Sequence, residues 1–357
     1  MIDERQIRQR LRDVMHPELE RDLVDLGMVR DITIDDASVV ITLALPFKEV
    51  SIKDDLVRAT EKAITDYAPH AGVSVRVIEM GQKERAAFMA QVEGRVPQAK
   101  AVNKIARVVA VLSGKGGVGK SSVAALLAVA LQRQGMRVGV LDADITGPSQ
   151  PRVFGLDQRP LMSPLGIRPV EASTGIKVMS INLLLENTDQ AVIWRGPLIS
   201  NAIKQFWNDV VWGDLDYLIV DLPPGTSDAS LTVMQSIPLS GVVLVTSPQD
   251  LAGMIVRKAA GMVTQLGAPI LGLVENMSYI TCPDCGRRIE VFGPSQALET
   301  AQKLDVPFLG KLPLDPELAE KCDHGQIEAY DAGDFAAIAE RIAGMMPQLQ
   351  NTVVARP

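Results

Sequence analysis

The run Gly114-Lys115-Gly116-Gly117-Val118-Gly119-Lys120-Ser121 holds the densest chemistry in the sequence. It has the form G-x-x-x-x-G-K-S. Its glycines let backbone N–H groups close around phosphate oxygens, Lys120 can reach the β and γ phosphates, and the Ser121 hydroxyl suits Mg²⁺. The run follows an apolar, β-branched stretch at 108–112 and opens a helical pattern at 121–134, so a helix N-terminus adds its dipole to the same anion site. That context separates a nucleotide loop from a glycine-rich turn, and it predicts binding of ATP with Mg²⁺. Lys115 puts a second cation in the loop, where it would stabilise a transition state if it met the γ phosphate.

Acids end two further apolar runs. One ends Leu141-Asp142-Ala143-Asp144, the other Val220-Asp221-Leu222-Pro223-Pro224-Gly225. Asp221, after four apolar residues, is the expected second holder of the Mg²⁺ shell, through water. Gly225 is a candidate N–H donor to the γ phosphate, and Asp144 is the candidate for orienting the attacking water. Asp142 also reads as a loop or helix cap. Farther along, Cys282-Pro283-Asp284-Cys285-Gly286 is a C-x-x-C knuckle whose Pro and Gly shape a tight turn. Such a turn aims backbone N–H groups at thiolates. Two cysteines cannot complete a four-thiolate site. A two-fold dimer would bring two knuckles to one cluster or one Zn²⁺. Alternatively Cys322-Asp323-His324 would supply ligands within one chain, across a spacing longer than a usual zinc ribbon. A redox pair and inert cysteines are the remaining readings.

These residues need strand ends to hold them. Short apolar runs at 108–112, 138–141, 217–220, 242–246 and 270–274 alternate with helical patterns such as 198–210 and 251–266. The alternation predicts an α/β fold with a mostly parallel sheet covered by helices on both faces, its ligands at the carboxyl ends of the strands. Before it, Ile7, Leu11 and Val14 recur at helical spacing. Strand patterns at 29–34 and 39–45 flank Asp35-Asp36, a helical pattern covers 52–67 and a strand pattern 73–78. This is a small α+β domain. Residues 91–100 have polar residues, a Gly and a Pro, and no clear period, and read as a linker. The expected organisation is a domain at 1–90, a linker at 91–104, a nucleotide-binding domain at 105–345 and a tail at 346–357.

Composition narrows the function classes. Of 357 residues, 47% are hydrophobic, enough for a sizeable core, and the net charge of −7 argues against a nucleic-acid partner. Three cysteines are too few for a disulfide framework and suit a reducing compartment. The charged start MIDERQIRQRLRDV has no signal-peptide core, and the apolar stretch 123–131 is far short of the roughly 20 residues that span a bilayer. The expectation is a cytoplasmic protein with no membrane partner.

The motifs GKGGVGKSS, LDADITGPSQPR, VIWRGP, DYLIVDLPPGTSD, VTSPQD, VENMSYITCPDCG and FGPS, in this order, resemble the Mrp/Nbp35/ApbC family over about residues 104–345. These are P-loop NTPases of the deviant Walker A class that act as iron–sulfur cluster carriers. Through HPELERDLVDLGMVRDITID, the first ~80 residues resemble the small MIP18-like domain. The resemblance implies a slow ATPase that binds a [4Fe-4S] cluster bridging two subunits through Cys282 and Cys285, with Cys322 an ordinary cysteine. The cluster would pass to apo iron–sulfur proteins, with cluster assembly factors as further partners. It makes Lys115 the signature lysine that reaches a homodimer partner's nucleotide, Asp144 the switch I acid, Asp221 the switch II acid and Asn276 an adenine contact.

Three departures stand out. Ser122 replaces a Thr and keeps the hydroxyl. Ser227 stands where Gly is common; if that site needs positive φ, switch II is set differently. The segment after the second strand, Pro46-Phe47-Lys48-Glu49-Val50-Ser51-Ile52, lacks the Cys-Pro often found there, which leaves the first domain a docking role. Arg195, in Trp194-Arg195-Gly196-Pro197, is a partner or phosphate contact or a surface ion pair. Two alternatives are a ParA/MinD-like positioning ATPase and a zinc-stabilised ATP-binding scaffold. The first wants a basic surface or an amphipathic C-terminal helix, and the tail carries neither.

Overall fold

The computed structural model describes residues 3–19, 21–35, 38–47, 50, 52–92, 102–145, 147–185 and 196–346. They form two compact units, 1–101 with 161–168, and 102–160 with 169–357.

The first unit is built on strands β1 (Val29–Asp35), β2 (Ser38–Leu45) and β3 (Gly72–Glu79). β1 and β2 pair antiparallel, and β3 joins β2 in parallel. Val39, Ile41 and Leu43 alternate onto one buried face, as a period of two requires. The helix Glu4–Leu11 starts where the Asp3 carboxylate accepts from the Arg5 N–H, and it buries Ile7 and Leu11. It stops before Val14, which is buried from the following turn. The helix Lys53–Tyr67 packs Leu56, Thr60 and Ile64 inward. A helix at Gln82–Val92 adds Phe88 and Val92 to this core and runs two residues into the stretch that reads as linker.

In the second unit β4 (Lys104–Ile105) precedes β5 (Val108–Ser113), the helix Lys120–Arg133 and β6 (Val138–Asp142). The hairpin β7 (Leu161–Ser163) and β8 (Gly166–Arg168) groups with the first unit, where Met162 bridges Val50 and Arg168 ion-pairs with buried Glu18. Then come β9 (Val170–Glu171), β10 (Lys177–Met179), β11 (Asp214–Leu215), β12 (Tyr217–Asp221), β13 (Gly241–Thr246), β14 (Ile270–Thr281), β15 (Arg288–Ile289) and β16 (Phe308–Pro313). The main sheet runs β15-β14-β13-β5-β12-β6-β10-β9, with β16 also on β14. Its centre is parallel, and only β9 and β15 pair antiparallel.

All six residues of β5 and of β13 are buried, because helices cover both faces. Val109 and Val111 share one core with the helices Lys120–Arg133 and Gly333–Met345, while Val108, Ala110 and Leu112 are buried from the other face. The five expected strands are present. β14 is the exception in length, with 12 residues where the apolar run promises five. Glu275, Asn276 and Ser278 break the apolar run, yet they are buried and the backbone stays in the sheet. Its pairing with β16 shifts register between Glu275 and Tyr279, where Met277 takes φ 58°. Among the described residues no helix is long and apolar enough to cross a membrane.

Phe335, 1% exposed, ties the helix Gly333–Met345 into the same core as the helix behind the phosphate loop. Phe335→Ala is expected to lower the unfolding free energy by about 3–5 kcal/mol in chemical denaturation. A loss under about 1 kcal/mol would contradict this packing.

Candidate functional site

Parallel pairing sets β5, β6 and β12 side by side, so their carboxyl ends deliver Ser113, Asp142 and Asp221 to one edge. The loop 114–119 leaves β5 there and enters the helix Lys120–Arg133. Two glycines are required by geometry. A Cβ on Gly114 would stand 2.7 Å from the Ile255 backbone. Gly119 has φ 75°, and its Cβ would fall 2.2 Å from Asn276 Nδ2. Asn276, 3% exposed on β14, donates from Nδ2 to the Val118 carbonyl at 2.9 Å and so braces the loop.

Lys120 turns back into the protein. Its ammonium forms an ion pair with Asp221 and lies 3.2 Å from Ser121 Oγ. The two partners are 6% and 0% exposed. The second Asp221 oxygen accepts from Gln150 Nε2 at 2.7 Å, and the same nitrogen donates to the Ser121 carbonyl at 3.0 Å. Asp142 lies beside them, wholly buried. Its Oδ2 accepts from the N–H groups of Ser149 and Gln150 and from Ser180 Oγ, and its Oδ1 accepts from the Asp144 N–H. The cap reading of Asp142 therefore describes its contacts: it holds the loop that leads into Gln150–Val153. Burial pushes its carboxyl up to about 7, and the Asp221 charge adds to the rise.

Other expected site residues are engaged within the chain. Asp144 Oδ1 accepts from the Gly147 N–H at 3.2 Å. The Gly225 N–H donates to the Ser113 carbonyl at 2.8 Å, so a phosphate contact would replace that bond. The Lys115 ammonium donates to Gln249 Oε1 of its own chain. Ser122 Oγ accepts from Cys322 Sγ at 3.8 Å. Ser227 has φ −73° and caps the helix Asp228–Ser236, so that position makes no demand for glycine. Trp194, Arg195, Lys48, Glu49, Ser51 and the tail beyond 346 lie outside the described residues.

The donor set fits a hard cation. Ser121 offers a hydroxyl and Asp221 a carboxylate, and Gln150 Oε1 is buried with no hydrogen-bond partner among the described residues. Oxygen donors of this kind suit hydrated Mg²⁺. Gln150 and Gln249 carry contacts that sequence reasoning assigns to no one. Gln150 lies inside the quoted motif LDADITGPSQPR, but only the structure shows its amide meeting Asp221.

β14 continues from Asn276 to the cysteine pair, which follows it directly. The Cys282 N–H donates to the Arg287 carbonyl, and the Gly286 N–H returns to the Cys282 carbonyl, both at 2.9 Å, with Gly286 at φ 69°. This turn holds the Cys282 thiol below the usual thiol range, chiefly through the Cys285 N–H and then the Asp284 N–H. Cys285 is exposed. Among the described residues no three His, Cys, Asp or Glu side chains gather where they could hold a metal ion. Cys322 and His324 thus do not complete the knuckle within one chain, and Cys322 sits by Ser122 instead. Burial raises the Cys322 thiol.

The chain is similar to known proteins along most of its length. Residues 104–348 match the family model described as NUBPL iron-transfer P-loop NTPase, and residues 4–77 match one described as iron-sulfur cluster assembly protein. An iron-sulfur cluster carrier protein of Synechocystis is 40% identical over 346 residues, 94% of this chain and 95% of that one. One from Haemophilus influenzae is 41% identical over 323 residues, 90% of this chain and 84% of that one. A solved nucleotide-binding protein of Archaeoglobus fulgidus in complex with ADP is 43% identical, covers 70% of this chain and 95% of its own, and has a TM-score of 0.59.

Two outcomes follow from these contacts. Gly119→Ala is expected to weaken ADP binding at least tenfold in a fluorescence titration, since the new Cβ meets Asn276; parental affinity would contradict the bracing contact. In metal-free protein, iodoacetamide should label Cys282 with a pH midpoint below that of free cysteine, because a lowered thiol pKa leaves more thiolate at neutral pH. Cys322 should label with a midpoint above it. The reverse order would contradict the turn's effect on Cys282.

Proposed function

This chain belongs to the NUBPL iron-transfer P-loop NTPase family, and on that premise we propose that it hydrolyses ATP to govern a [4Fe-4S] cluster held between two copies of itself. The observation that carries this reading is β14. One strand braces the phosphate loop through Asn276 and six residues later presents Cys282. A nucleotide that shifts the loop therefore acts on a rigid element that ends in the thiolates. Two thiolates per chain leave a four-ligand cluster half held, and a second copy on a two-fold axis supplies the other two. The cluster is cargo, bound in one state and passed to apo iron–sulfur proteins in the other, with cluster assembly factors as its source. Relatives named as cluster carriers favour neither a positioning ATPase nor a zinc scaffold.

At the nucleotide, residues 114–122 wrap the phosphates with backbone N–H groups and the hydroxyls of Ser121 and Ser122. Lys120 leaves Asp221 for the β and γ phosphates. When bound, Mg²⁺ supplies charge neutralisation; Ser121, and Asp221 through water, would hold it. Asp144 orients the attacking water, and Gly225 meets the γ phosphate once its bond to Ser113 opens. Lys115 exchanges Gln249 for the nucleotide of the partner subunit, and Asn276 borders the adenine. The unit at 1–90 serves as a docking domain.

Anaerobic reconstitution with iron and sulfide tests the cargo. The parent is expected to take up about four iron per two chains, with broad visible absorbance. The doubly substituted Cys282→Ser/Cys285→Ser protein is expected to take up none while keeping ATP hydrolysis. Equal absorbance in the two proteins would overturn the reading.

A further inference from the structure

The cation site contains a side chain with one function already spent and one unspent. Gln150 is wholly buried. Its two nearest polar neighbours, Asp221 Oδ2 at 2.7 Å and the Ser121 carbonyl at 3.0 Å, are both acceptors. Only an NH₂ group can face them, which fixes the orientation of the amide. Both amide hydrogens are then used. The opposite atom, Oε1, is buried and has no donor among the described residues. A buried carbonyl oxygen in that state has lost water and gained nothing in return. An apolar side chain of equal length would fill the space without that loss.

The unspent acceptor is carried by the same amide that touches Asp221 and the serine of the phosphate loop. These are the two residues read above as holders of the cation. Mg²⁺ sheds its hydration water reluctantly and keeps several waters when bound to carboxylates and phosphates, so it brings O–H donors with it. Among the described residues, no buried side-chain acceptor of the loop or of the two acids lacks a partner, and Ser149 Oγ, next to Gln150, is an adjoining buried oxygen that also has none. We propose that Gln150 is a positioning residue for the hydrated cation. Its NH₂ group sets the direction of Asp221, and its Oε1 accepts from a water of the cation's shell. The chain would thereby recognise the cation through three groups, Ser121, Asp221 and Gln150. The inference rests on the reading that nucleotide and Mg²⁺ share the loop 114–121.

The test uses the full-length protein and two variants. Gln150→Met keeps length and bulk and removes both hydrogen-bonding functions. Gln150→Leu removes the same two functions with a branched apolar group of similar size. ADP affinity is measured by fluorescence titration with and without Mg²⁺, and Mn²⁺ affinity in the presence of ADP by electron paramagnetic resonance. For Gln150→Met, the gain in ADP affinity from Mg²⁺, taken relative to that variant's own metal-free affinity, should fall at least fivefold, and Mn²⁺ should bind at least fivefold more weakly. For Gln150→Leu, the same falls are expected. A folded Gln150→Met protein with the parental gain overturns the proposal, because a merely structural amide would change stability and leave that ratio alone. If Gln150→Met does not fold, Gln150→Leu decides: a gain that falls at least fivefold supports the proposal and a parental gain overturns it. A parent that gains nothing from Mg²⁺ removes the underlying reading, a result separable from failure of the variants alone.

Discussion

One buried ammonium faces two buried carboxylates at the end of the central sheet. Lys120 pairs with Asp221, and Asp142 stands beside them with its carboxyl pushed up by burial and by the Asp221 charge. Removing one partner from a buried pair costs about 3–5 kcal/mol. Moving Lys120 to a phosphate would therefore leave Asp221 buried without its cationic partner. On the proposed function, charge balance links nucleotide and cation at this edge: the phosphates would take the lysine, and a cation would take the acid. The surrounding contacts hold these groups for that exchange. Asp142 fixes the loop that carries Gln150, Gln150 fixes Asp221, and Ser121 lies within reach of both the lysine and the amide.

β14 extends the consequence outward. Asn276 holds the loop carbonyl at Val118, Met277 adopts a left-handed conformation, and the strand then continues to Cys282. A non-glycine residue in that region costs on the order of 1–3 kcal/mol, and such outliers gather where structure is held under strain for function. Here the outlier stands between the loop and the thiols. The knuckle adds its own electrostatics, since backbone N–H groups converge on Cys282 and favour its thiolate, the form that binds iron.

Much of this was legible in the sequence where a local rule governs. Strand, glycine loop and helix must follow one another for the loop to cradle phosphate, so 114–121 declared itself. The acids that end β6 and β12 were equally visible, because buried strands leave their polar residues at the ends. What escaped depends on three-dimensional neighbours. Gln150 meets Asp221 across 71 residues and Lys115 meets Gln249 across 134. No periodicity encodes either contact. β14 outruns its apolar core because Glu275 and Ser278 hydrogen-bond to each other while buried, so polar residues there do not end the strand. Ser227 raised a question of backbone conformation that its ordinary φ removes. Cys322 and His324 read as possible ligands by type alone, and the fold sends Cys322 to Ser122 instead.

On the proposed function, the nucleotide loop and the thiolate pair communicate through β14. The direct measurement is the rate at which a chelator strips iron from the reconstituted protein, with and without ATP, in the parent and in Asn276→Ala. ATP is expected to change the rate in the parent by at least threefold and, at ATP concentrations shown to saturate Asn276→Ala, to leave the rate of that variant nearly unchanged. An equal response to ATP in both proteins would contradict it.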